Sequence, residues 1–174
     1  RKDENKEEIE TGGNIGGDIK IAVSSSLNLD LTINPDFSQV EVDRQQTNLT
    51  RFSLFFPEKR QFFIENSDLF GDFGFRQIRP FFSRNIGLYQ GQQIPIIAGA
   101  RLSGKINKKT RIGVMNLQTE ADTSLGVNSQ NYGVLAVQRT VLGDCYLAGI
   151  FVNRQAIENN EFSPNDYNRV LGVD

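Results

Sequence analysis

The chain has no histidine and one cysteine, Cys145. Without histidine there is no imidazole base and no Ser-His-Asp arrangement. One cysteine makes an intrachain disulfide impossible, and a structural zinc site has no set of Cys or His ligands to draw on. No metal or other cofactor is expected. The thiol lies in Cys145-Tyr146-Leu147-Ala148-Gly149-Ile150-Phe151, where a buried or lipid-facing role is expected. No apolar run approaches the roughly 18 residues of a membrane helix. No secretion signal is visible and the first residue is Arg1, so the chain reads as a mature or excised segment. Excess positive charge is also missing. The net charge is −2, which argues against nucleic acid as a partner, because phosphate binding needs a basic surface. Hydrophobic residues make up only 38%, which points to half-buried strands rather than a thick core.

The 174 residues that remain suffice for one domain. Residues 1–17 are charged and then glycine-rich and read as a linker. Gly12-Gly13 and Gly16-Gly17 do not match phosphate-loop spacing. From residue 18 a strand pattern begins. Ile19, Ile21 and Val23 alternate with Asp18, Lys20 and Ala22; Leu27, Leu29, Leu31 and Ile33 alternate with Asn28, Asp30, Thr32 and Asn34. Period-two alternation marks a strand with one apolar and one polar face. Ser24-Ser25-Ser26 supplies a hairpin turn.

Residues 35–95 break the pattern and hold eleven of the thirteen phenylalanines. They read as a folded insert of mixed structure, with a short helix or two and short strands, because such aromatic content packs rather than staying disordered. The alternation then resumes. Strands are expected from Ile96 to Ile106, Arg111 to Thr119, Tyr132 to Thr140, Cys145 to Asn153 and Asn168 to Val173, with a polar segment before the last. The expected fold class is all-β: an antiparallel meander over residues 18–174, part of an outer-membrane-type β-barrel. Strands near nine residues, and short turns alternating with longer polar loops, fit that pattern. Six or seven strands fall short of the roughly eight that a closed bacterial barrel needs, so either more chain follows or the sheet is a soluble one, and the stop inside the last strand at Val173-Asp174 favours more chain.

Three ordered blocks are more specific: LNLDLTINPDFSQVEVD, NLTRFSLFFPEKRQFFIENSDLF and RPFFSRNIGL. Together they resemble the DUF5916 family of Bacteroidota and related bacteria. The resemblance implies an N-terminal family 9 carbohydrate-binding-type module, absent here, followed by a barrel-like region in the bacterial outer membrane. The implied partners are outer-membrane lipid and a glycan or other envelope proteins; no activity is implied.

Asp36, Glu41, Asp43, Glu58 and Glu65 include enough carboxylates for a glycosidase pair. The favoured reading is structural, with Asp36 capping a turn after Pro35 and the two later glutamates paired to Lys59, Arg60 or Arg51. The same acids lack the EF-hand ligand pattern for Ca²⁺. The aromatic and charged run Phe55 to Phe63 suggests a ligand platform built on cation–π contacts, or a packed plug. The plug is favoured. Its core is expected to hold Phe56, Phe63 and Phe82, with Arg60, Arg79 and Arg84 paired to Glu58, Glu65 and Asp68. No self-contained catalytic site is legible. The candidate binding residues are Asp36, Glu41, Asp43, Glu58, Lys59, Arg60, Glu65 and Arg84.

Overall fold

A computed structural model describes residues 15–35, 58–74, 79–143 and 145–174. Seven strands form one antiparallel sheet in meander order. They are β1 (Gly17–Ser24), β2 (Leu27–Ile33), β5 (Ile96–Asn107), β6 (Thr110–Thr119), β7 (Ser129–Thr140), β8 (Tyr146–Glu158) and β9 (Glu161–Val173). The sheet is open, with β1 and β9 at its edges. Between β2 and β5 the chain makes the helical turns α1 (Gln61–Ile64) and α2 (Asp68–Gly71), a 3-10 turn (Ser83–Asn85) and the small hairpin β3 (Leu88–Tyr89) and β4 (Gln92–Gln93). Among its described residues the insert contains short helices and short strands, as expected.

The strands form where period-two patterning demands them, and local side chains make the turns. Asn107 Oδ1 accepts from the Lys109 backbone N–H at 2.9 Å and fixes the β5–β6 turn. Asp122 gathers the backbone N–H groups of Ser124 (2.9 Å) and Leu125 (3.1 Å) in the β6–β7 loop. The β8–β9 turn is Asn159-Asn160, both at positive φ (52° and 65°). Asparagine tolerates this conformation, and two such residues make the tight hairpin turn whose twist matches the strands. The segment between Asn153 and Asn168 is therefore a continuous hairpin rather than a polar connection. Asn153 and Gln155 stand at outward positions of β8, so apolar alternation failed to mark it. Cys145 directly precedes β8 and is exposed, so its thiol is not buried.

The insert lies on one face of the sheet. Phe63, Leu69, Phe70, Phe73, Phe81 and Ile86 pack against Met115 and Leu117 of β6, Val134 and Ala136 of β7, and Ala148 and Ile150 of β8. Gly113 lets α2 approach: a Cβ there would collide with the Phe70 ring. Of the expected aromatic core, Phe63 is buried, but at the later pair Phe81 is buried and Phe82 only half-buried. Phe56 falls outside the described residues. Phe62 and Phe63 share a helical turn, their rings edge-to-face with centroids 5.1 Å apart.

Burial along the early strands runs opposite to a water-soluble sheet. On β2, Thr32 (1% exposed) and Asp30 (9%) are buried beneath the insert, while Ile33 is 63% exposed. On β1, Ile19, Ile21 and Val23 are exposed. One unbroken apolar row crosses all seven strands on the open face, each residue paired in register with the next: Ile21, Leu29, Leu102, Val114, Leu135, Phe151 and Leu171.

Candidate functional site

The covered face is where charge is concentrated. Lys20, Asp30 and Arg101 are aligned across β1, β2 and β5, because Asp30 pairs in register with both neighbours. Alternation puts all three side chains under the insert. Arg101 is 1% exposed. Its Nη2 and Nε donate to Asp30 Oδ2 at 2.7 and 3.2 Å, and its Nη1 donates to the Glu65 carbonyl at 2.7 Å. The guanidinium also lies 5.2 Å from the Phe62 ring centroid. The Glu65 carboxylate accepts from Lys20 Nζ, and from Asn28 Nδ2 at 3.2 Å. Hydrogen bonding from Lys20 is the main reason that this carboxyl titrates below the usual range.

A second tie joins α2 to β6. Arg111 Nη1 and Nη2 donate to the two Asp68 oxygens at 2.6 and 3.1 Å, a forked pair. The third set lies within the insert. Arg60 donates through Nε to Glu58 Oε1 (2.9 Å) and through Nη2 to Glu58 Oε2 (2.8 Å). It also donates to the carbonyls of Ile86 and Ser83, each at 2.8 Å. Its Cζ sits 4.3 Å from the Phe63 ring centroid. The Ser83 hydroxyl donates to Glu58 Oε2 at 2.7 Å. Arg60 thereby ties the segment before α1 to the 3-10 turn.

Burial pushes the Glu58 carboxyl upward, but hydrogen bonds and charge from Arg60, with the Ser83 hydroxyl, outweigh it and hold the group below its ordinary range. A carboxyl lowered on folding contributes stability above its unfolded pKa and loses it as pH falls through the folded pKa. Glu58→Gln is accordingly expected to lower the thermal midpoint at neutral pH. The difference from the parent chain should shrink in acid below the ordinary carboxylate range. Thermal melts at a series of pH values check this, and a midpoint unchanged at pH 7 would mean that the carboxylate does not hold the fold.

Of the candidate residues, the structure brings together Glu58 and Arg60. The Lys59 backbone N–H also donates to Glu58, at 3.1 Å. Arg84 is buried in the 3-10 turn. Two expected pairings are corrected. Glu65 goes to Lys20 and Asp68 to Arg111, rather than to the insert's own arginines. The reason is placement, since α1 and α2 lie directly over cations that the sheet projects. Asp36, Glu41 and Asp43 lie outside the described residues. Among the described residues no group of three or more His, Cys, Asp or Glu could hold a metal ion. Sequence reading did not single out Lys20, Asp30 and Arg101. The signal was present, since all three fall at the polar positions of apolar-alternating strands.

These features define a class: an open antiparallel β-meander with one face covered by its own aromatic insert, over charged residues on β1, β2 and β5 and apolar ones on β6 to β8. The chain belongs to the DUF5916 family, described as a domain of unknown function, with the match running over residues 1–141. β8 and β9 extend the same meander beyond the matched stretch. No curated protein and no solved structure matches the chain.

Proposed function

We propose that the chain forms part of a bacterial outer-membrane β-barrel, with the 35–95 insert lying on the lumenal face as a plug or scaffold. The observation that carries this reading is the apolar row across all seven strands on the face that the insert leaves open. In water, an apolar surface of that extent is costly at roughly 25 cal/mol per Å². Against lipid it is stabilising.

A further feature supports the reading. Next to the apolar row runs Ile19, Leu31 and Ala100 on β1, β2 and β5, which becomes Asn116, Gly133, Asn153 and Arg169 on β6 to β9. The apolar belt thus shifts along the strands as it crosses the sheet, as a level band does when strands tilt in a barrel. No helix among the described residues is long and apolar enough to cross a membrane. The free edges of β1 and β9 would be joined by further strands, because an open edge is not tolerated in hydrocarbon. The role is one of transport or scaffold. Glycan hydrolysis needs a carboxylate pair flanking the bond, and Glu58, Glu65 and Asp68 of the insert are engaged by cations.

Leu29→Arg tests the orientation. It is expected to destabilise the liposome-inserted state by about 2–4 kcal/mol if Leu29 sits near the bilayer midplane. Denaturant titration of liposome-folded protein reads the value. Unchanged stability and unchanged insertion would place this face outside the membrane.

A further inference from the structure

A cavity of about 640 Å³ opens on the covered face at the end of the sheet carrying the Ser25-Ser26 and Lys108-Lys109 turns. Its wall is more polar than apolar and includes Lys105, Lys108, Lys109 and Arg111, with Glu65 also on it. The two acids beside it are already engaged. Glu65 is bound to Lys20, and Asp68 to Arg111. The three lysines have no carboxylate within ion-pair distance among the described residues. The cavity therefore concentrates positive charge in a chain whose net charge is −2.

We infer that this cavity binds a soluble polyanion carrying two or more phosphate groups. Lysine ammonium groups are point charges suited to phosphate. Three of them around a hydrophilic space larger than one phosphate fit a ligand with several such groups. Phosphate also occurs on lipid headgroups, but the cavity lies on the face opposite the apolar row, so the source is a dissolved solute. The choice of a dissolved source rests on the open face meeting lipid; the binding of phosphate does not.

Titration calorimetry of the full chain in zwitterionic detergent, with tripolyphosphate as probe, tests it. Saturable binding is expected, weakening as salt is raised. The double variant Lys105→Ala/Lys109→Ala should weaken it by about tenfold, in line with the modest value of each exposed charge. Lys108→Gln should weaken it less, and Arg169→Gln on the open face should leave it unchanged. All three lysines are exposed, so these variants keep the fold. Three outcomes would overturn the inference: no saturable binding, an affinity indifferent to the lysine substitutions, or binding confined to phosphatidylglycerol vesicles.

Discussion

Replacing Arg101 with Ala is expected to destabilise the folded chain by about 3–5 kcal/mol, the range for breaking one side of a buried ion pair. Arg101 is among the largest fully buried side chains, and three of its nitrogens donate hydrogen bonds. Its removal leaves Asp30 charged beneath the insert and the Glu65 carbonyl without its donor. Lys20 stays bound to Glu65 and lies 3.9 Å from Asp30, too far to replace the guanidinium's two hydrogen bonds, so the loss falls mainly on Asp30. Equilibrium unfolding in denaturant reads the effect. The companion variant Arg101→Met/Asp30→Leu removes both charges and is expected to recover most of the stability, since well-packed apolar replacements of buried pairs are often neutral. A single Arg101→Ala change costing under 1 kcal/mol would mean that the insert is not anchored there.

Phe63→Ala is expected to cost about 3–5 kcal/mol, the range for emptying a buried phenylalanine site. Phe63 is 4% exposed, stands edge-on to Phe62 and carries the Arg60 guanidinium against its ring. The void would fall where the insert meets the β6–β8 face and cannot collapse without displacing Arg60 from its two carbonyls. Phe82→Ala should cost clearly less, because Phe82 is only half-buried. Unfolding midpoints of the two variants, measured side by side, check the order. Equal losses would place both rings in one core.

The strands from Gly17 to Ile33 and from Ile96 to Thr140 were legible because alternation there is carried by side chains on both faces, as in Leu27-Asn28-Leu29-Asp30. β9 was legible only at its end. Its outward positions include Arg169 and Tyr167, and Pro164 lies within it, so the period-two signal is masked; Asn159-Asn160 was the available cue. In the insert, composition foretold packing, but neither the choice of Phe81 over Phe82 nor the partners of Glu65 and Asp68 was readable. Those depend on which strand lies beneath each helical turn, a long-range matter that local spacing does not encode. The Arg60–Glu58 pair was readable because its partners are two residues apart.

The central claim is that the face bearing the apolar row meets lipid while the opposite face is filled by the insert. Nitroxide labels at Ile21, Leu135 and Val134 in liposome-reconstituted protein test it most directly. At Ile21 and Leu135 the account predicts frequent collisions with dissolved oxygen and few with a water-soluble nickel reagent. At Val134, which faces the insert, it predicts few collisions with either. Nickel collisions at Ile21 and Leu135 as frequent as at the exposed turn residue Leu142 would contradict it.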